Sequence, residues 1–239
     1  MPGLWDPATG ALAPAAYHVE GQRTVVTVPL DRFGSTFVVF RGKGVEARRV
    51  APAAETTLMT LGGPWNIRFQ ADRGAPDKAR FDTLADFRQN ADPAIRYFSG
   101  IAGYARTFNA PVSKIAEKRR LWIDLGKVGD LAEVWVNGRL MGTAWKPPYR
   151  VDIGSAIRSG RNTLEVRVVN LWVNRLIGDV QSGVTRKITF TAADGEVAAG
   201  TTPEQAARQK AMPYKPDAPL RPSGLMGSEA AQRIVDDRA

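Results

Sequence analysis

The stretch from Leu121 to Asp179 constrains the fold more than any other part of the chain. It holds four short runs rich in Val, Ile, Leu and Trp, separated by Gly, Asn, Pro and Asp. Ile123 and Leu125 share one parity, and so do Val134 and Val136. Leu164, Val166 and Val168 alternate with Glu165, Arg167 and Val169. A period of two is the signature of a strand with one face buried. Asn137-Gly138 separates Val134-Trp135-Val136 from Leu140-Met141. Both central residues of a tight hairpin turn need positive φ, which Asn and Gly tolerate best, so a hairpin is expected there. Ser159-Gly160-Arg161-Asn162 is a second expected turn, leading into a strand from Thr163 to Asn170.

These elements have a recognisable order: strand, Asn-Gly hairpin, Pro147-Pro148-Tyr149, Asp152-Ile153, Gly160-x-Asn162, strand. The order resembles the sugar-binding jelly-roll domain of family 2 glycoside hydrolases. The run Val169-Asn170-Leu171-Trp172-Val173-Asn174-Arg175-Leu176-Ile177-Gly178-Asp179 is more particular. Together with Tyr97-Phe98-Ser99-Gly100 and Ser223-Gly224-Leu225-Met226-Gly227, it resembles the C-terminal part of family 106 glycoside hydrolases, the alpha-L-rhamnosidases. The resemblance extends from about Leu4 to Gly227. It implies an all-β chain built on a galactose-binding-like jelly-roll β-sandwich, preceded by a partial β hairpin from an upstream β domain. It also implies that the catalytic carboxylates belong to a (β/α)8 barrel N-terminal to these β domains. On that reading the chain is a fragment or split gene product whose missing N-terminal catalytic domain is its partner. Full-length relatives are expected in the periplasm or secreted, and Met1–Gly10 carries no signal peptide pattern.

Totals narrow the chemistry. The 239 residues allow one large β domain or two small ones, and 44% hydrophobic residues can fill a sizeable core. Cysteine is absent, which excludes disulfides and thiolate chemistry; a single histidine, His18, excludes a multi-His metal site. No apolar run is long enough to span a membrane. The net charge of +9 comes from scattered Arg and Lys, with no recognisable nucleic-acid module. An ordinary solvated surface or attraction to an acidic glycan both fit it.

Taken in order, residues 1–50 form the upstream remnant, with Thr24–Leu30 and Thr36–Phe40 expected to pair as a hairpin around Asp31–Ser35. Residues 51–63 are expected to be a linker. Residues 64–191 make the jelly roll: Trp65, Ile67 and Phe69 alternate with Asn66 and Arg68, Ile95–Phe98 and Gly103–Phe108 are strands, and Lys187–Thr191 is the last strand. Ser99-Gly100 between the two halves is either a ligand-facing bend or a β-bulge. Residues 192–239 have few large apolar side chains and are expected to form a loosely ordered arm. Ser228-Glu229-Ala230 departs from the family, which puts a closing strand in doubt.

Glycoside hydrolysis requires two carboxyl groups flanking the scissile bond. Asp124, Asp130, Glu133, Asp152, Glu165 and Asp179 are available, but each sits at a turn or on a solvent-facing strand position, so no catalytic residue is assigned. Aromatic loop residues fit sugar better, because pyranose C–H faces stack on Trp or Tyr while amides and Arg bind hydroxyls. The candidate sugar contacts are Trp145 and Tyr149 in the Pro-Pro loop, and Asn170, Trp172, Asn174, Arg175 and Asp179 after a strand end. Packing against another domain explains the second group equally well. No cofactor is implied beyond a structural calcium ion, which sandwiches of this type often hold and which Asp124, Asp130 and Asp152 could ligate. Three functions remain open: a non-catalytic carbohydrate module, a complete small glycosidase, and a pure protein-interaction sandwich.

Overall fold

In a computed structural model, the structure describes residues 1–42, 47–50, 54–111, 120–181, 214–215, 217–227 and 232–238. The N-terminal unit contains β1 (Pro2–Trp5), β2 (Leu12–Pro14), β3 (Ala16–Glu20), β4 (Arg23–Thr27), β5 (Phe37–Phe40) and β6 (Ala47–Arg48). The larger unit contains β7 (Ala54–Thr60), β8 (Trp65–Phe69), β9 (Lys78–Phe81), β10 (Gly100–Ala110), β11 (Arg120–Asp124), β12 (Lys127–Val128), β13 (Leu131–Val136), β14 (Arg139–Ala144), β15 (Arg150–Asp152), β16 (Gly160–Asn170), β17 (Leu225–Met226) and β18 (Arg233–Arg238). Among the described residues, the α-helices α1 (Pro93–Arg96) and α2 (Val173–Gln181) and a 3-10 turn at Phe87–Gln89 lie between the strands.

The larger unit is the expected antiparallel β-sandwich. A six-stranded sheet in the order β14-β13-β16-β10-β8-β9 faces a four-stranded sheet in the order β15-β11-β18-β7. One buried cluster joins Trp65, Tyr104, Val134 and Val166 of the first sheet to Leu121, Ile123, Val151 and Ile234 of the second. Each large apolar side chain buried this way contributes about 1.5–3 kcal/mol. Trp65 meets Tyr104 edge-on at 6.5 Å, and Phe69, Phe87 and Phe98 continue the aromatic contact. The Asn137-Gly138 hairpin forms as expected, with φ of 52° and 78°. Asn137 then anchors the neighbouring turn, donating to the Ala156 carbonyl and to Asn162 Oδ1, and accepting from Thr163 N–H.

Several local expectations are corrected. Thr24–Leu30 and Thr36–Phe40 do not pair with each other. β4 pairs with β3, whereas β5 pairs with β1, placing them in two separate three-stranded sheets. Pro29, which lacks an N–H donor, and the Asp31–Gly34 turn separate them. Residues 54–60, read as linker, form a strand. Residues 233–238, read as part of a loose arm, form a strand between β11 and β7. The polar look of Asp236 misled, because a central strand satisfies its backbone on both sides and Asp236 is buried. Ile95 belongs to a helical turn, not a strand: the Asp92 carboxylate accepts from Ala94 N–H and Pro93 fills the first helical position. Gly100 opens a ladder with β16 that runs unbroken to Ala110, so it is no bulge. Residues 187–191 lie outside the described residues, as does the 192–213 part of the expected arm.

β18 alone connects β7 to the rest of its sheet, so truncation before Gln232 is expected to abolish cooperative thermal unfolding. Ile234→Ala is expected to lower stability by about 2–4 kcal/mol in a urea titration. A truncated chain melting like the full one would show that the strand is dispensable.

Candidate functional site

One end of the six-stranded sheet gathers the loops that matter. Ala132 on β13 pairs with both Ala144 of β14 and Val168 of β16. The chain therefore leaves β14 and β16 at the same end, flanking the Gly129–Leu131 segment. Gly100 lies opposite Asn170, which brings Ser99 to that end as well. Two of the aromatic candidates, Trp145 and Trp172, stand on this rim.

Trp145 is 60% exposed, held in the loop that Pro147 and Pro148 stiffen. The Lys146 ammonium lies 6.0 Å from the centre of its ring. Both line an open cleft of about 590 Å³ whose other wall belongs to the N-terminal unit, including Asp6, Leu30, Asp31 and Phe33. Asp6 Oδ1 already accepts from Ala8 and Thr9 N–H, which closes its own turn. This wall was not anticipated: Asp6 and Asp31 are 114 or more residues away in sequence, in a stretch with no site-like pattern.

Tyr149 is half-buried against the core. Burial, and then the carboxylate of Asp130, push its phenol above the ordinary tyrosine value. Asp130 Oδ2 accepts from Leu171 N–H at 3.2 Å, which links the Gly129–Leu131 segment to the start of the Trp172 segment. Trp172 is 42% exposed, and the Arg73 guanidinium covers one ring face at 4.6 Å. Arg73 gave no sequence signal, since it sits in a polar loop.

The other four candidates point inward. Asn170 is buried, donating to the Gly100 carbonyl and accepting from Gly224 N–H at 2.6 Å. Asn174 donates to the Arg221 carbonyl and to Ser223 Oγ, and accepts from Arg221 N–H. Asp86 accepts from Ser223 N–H, and Leu225 N–H donates to the Tyr104 hydroxyl. Burial raises the Tyr104 pKa so far that its hydroxyl stays protonated. Residues 221–225 are thus stitched to the sheet end, with Gly224 at φ +85° where a Cβ would lie 2.7 Å from the Tyr104 hydroxyl. Arg175 and Asp179 pair along α2 at 3.9 Å in a buried setting that lowers the guanidinium pKa, and Arg175 N–H donates to Ser99 Oγ. Of the candidates, Trp145 and Trp172 are exposed at this end and Tyr149 is half-buried, while Asn170, Asn174, Arg175 and Asp179 are occupied with internal contacts.

The carboxylates considered for catalysis are engaged separately. Asp124 accepts from Arg150 and Arg233, Asp152 from Gly154 N–H, and Glu133 from the Trp135 indole. Glu165 pairs with Arg167 at 2.6 Å. Of the residues considered for calcium, Asp124 already pairs with two guanidinium groups, and no three acidic or histidine side chains gather among the described residues. No helix among them is long and apolar enough to cross a membrane.

No protein-family model matches the chain. A protein of Formosa agariphila, provisionally named a β-glucuronidase, is 43% identical over 119 residues, which are 50% of this chain and 10% of that protein. The solved structure of a rhamnosidase from Novosphingobium sp. PP1Y matches 98% of this chain at 47% identity, with a TM-score of 0.81. The chain corresponds to 20% of that rhamnosidase. The chain is therefore related to part of two larger proteins named as glycoside hydrolases, spanning about a tenth of one and a fifth of the other.

Proposed function

We propose that the chain is a non-catalytic β-module of an alpha-L-rhamnosidase-like glycoside hydrolase, which supports a catalytic domain supplied outside this sequence and contacts carbohydrate through Trp145 and its neighbours. The observation that carries this reading is the 47% identity to a rhamnosidase over 98% of the chain, with the fold retained. Two features of the surface agree with it. Large exposed apolar residues concentrate in the N-terminal unit, where Leu30, Phe33, Phe37 and Phe40 are each more than half exposed. Exposed apolar surface of that kind is what packing against another domain would cover. Each carboxylate first considered for catalysis is also held by a local partner, as a supporting module allows.

A second reading keeps one specific observation. The Trp145 cleft contains two further carboxylates, Asp6 and Asp31, so a small glycosidase would be built there.

Two experiments separate the readings. The chain alone, incubated with an aryl alpha-L-rhamnoside, is expected to show no turnover. Turnover that disappears in Asp6→Asn or Asp31→Asn would replace the module with a compact hydrolase. In calorimetry with L-rhamnose, Trp145→Ala is expected to weaken binding about fivefold or more while changing stability by under about 0.5 kcal/mol. Asn170→Ala is expected to cost about 1–3 kcal/mol of stability, since it strands the buried Gly224 N–H. The absence of rhamnose binding by the unmodified chain would leave the support role and remove the sugar contact.

A further inference from the structure

The outer face of the six-stranded sheet carries a trench separate from the Trp145 cleft, with which it shares no lining residue. Its open volume is about 720 Å³. The floor is β10, whose outward positions here are Gly103 and Ala105, with exposed Ile101 at one end. Gly103 lies opposite Arg68 on β8 and opposite Arg167 on β16. Ala105 lies opposite Asn66 and Glu165 in the same way. Beyond Ile101, the small residues at 103 and 105 and the long polar ones on both neighbours make a channel about two strand spacings wide, roughly 10 Å.

Nothing in the fold requires glycine at position 103. Its ladder is unbroken on both sides and its backbone is not in the left-handed region. A Cβ there would meet Glu165 Oε1 at 3.6 Å and the Arg68 carbonyl at 3.8 Å, which is ordinary contact. Glycine weakens a strand interior, and a common reason to keep one is close approach of a ligand.

The charges on the walls are unbalanced. Glu165 neutralises Arg167 at 2.6 Å. Arg68 and Lys78 stand directly opposite each other across β8 and β9, both exposed, with no ion-pair partner among the described residues. Like charges at directly opposed positions destabilise a sheet, and an anion between them relieves the repulsion. Trp135, the aromatic ring beside the trench, is covered by the Arg167 guanidinium at 4.6 Å, so nucleic-acid bases find no stacking platform. The backbone groups of β8, β10 and β16 are used in the ladder, so an extended peptide finds no strand edge on the trench floor; the sheet's open edge lies on the far side of β9. Asn66, the Gln70 amide nitrogen (its oxygen already accepts from Ile101 N–H) and the Arg68 guanidinium instead offer groups that sugar hydroxyls and carboxylates require.

We propose that this trench binds an oligosaccharide bearing carboxylate groups, with Arg68 and Lys78 as the anion contact and Gly103 as the floor that admits the chain. The inference goes beyond the rhamnosidase reading and does not depend on it. The test is calorimetry of the full chain with trigalacturonate and with neutral maltotriose, at low and at high salt. Trigalacturonate is expected to bind, more weakly as salt rises, with maltotriose giving no heat. Gly103→Val suits a strand and fills the channel, so it is expected to keep or raise the melting temperature while weakening trigalacturonate about tenfold or more. Arg68→Ala with Lys78→Ala is expected to do the same to binding and to reduce the salt dependence. The proposal is overturned if trigalacturonate gives no heat, if folded Gly103→Val binds it as the unmodified chain does, or if a single-stranded oligodeoxynucleotide competes equally well. Each result leaves rhamnose binding at Trp145 unaffected, so the two sites stand or fall apart.

Discussion

The sandwich depends on a strand inserted from the far end of the chain. β7 and β11 do not pair with each other; both pair with β18. Charge holds the same sheet together laterally. Glu55 on β7 pairs with Arg150 on β15, Arg150 also donates to Asp124 on β11, and Asp124 accepts from Arg233 on β18. Every strand of the four-stranded sheet contributes one member. Because Asp124 is largely shielded from water, its two guanidinium partners matter more than a surface pair would. The residues involved are separated by as many as 178 positions in sequence, so the sheet forms only when both ends of the module have come together.

The same long-range closure shapes the loop end. Residues 221–225, just before β18, are held by Asn170, Asn174, Asp86 and Tyr104. Gly129 N–H donates to the Gly224 carbonyl, and a Cβ on Gly129 would sit 3.0 Å from Gly224 N. Two backbones touch there without an intervening side chain. The rim that presents Trp145, Tyr149 and Trp172 is therefore rigid on the Asn170 side, since moving that loop breaks several buried hydrogen bonds at once. The cleft side is different, because its second wall is the N-terminal unit with its exposed apolar faces.

What was legible in the sequence follows from locality. The Asn137-Gly138 turn, the β13 and β16 alternation and the Trp65–Phe69 strand are set by neighbours within a few residues, and they appear as expected. β18 was not legible, because Asp236-Asp237-Arg238 is polar and only its two partners make it a core strand. α2 was hidden for a related reason. Its run mixes Asn174, Arg175 and Asp179 with Ile177, and those polar residues turn out to be buried, Asn174 against Ser223 and the 221 backbone. A surface helix normally shows the opposite pattern. α1 carried a readable signal in Asp92-Pro93, an N-cap followed by a proline at the first helical position, which the apolar run Ile95–Phe98 outweighed.

The candidate site was legible as residue types and not as roles. Sequence order places Asn170, Trp172, Asn174 and Arg175 within six positions, but the end of β16 and the start of α2 turn them in different directions. Amides and charges that a sugar site would use look the same in sequence as amides that satisfy a buried backbone. The deciding quantity is how many donors and acceptors remain after the fold has used its share. At Asn170 and Asn174 the fold uses both ends of the amide. At Trp145 it uses neither ring face fully, and at Arg68 and Lys78 it places two cations side by side without a counter-charge among the described residues. A folded chain has no stability reason to keep an exposed Trp or an opposed cation pair. Those positions are the ones the fold leaves open, and they are where the proposed ligands would make their contacts.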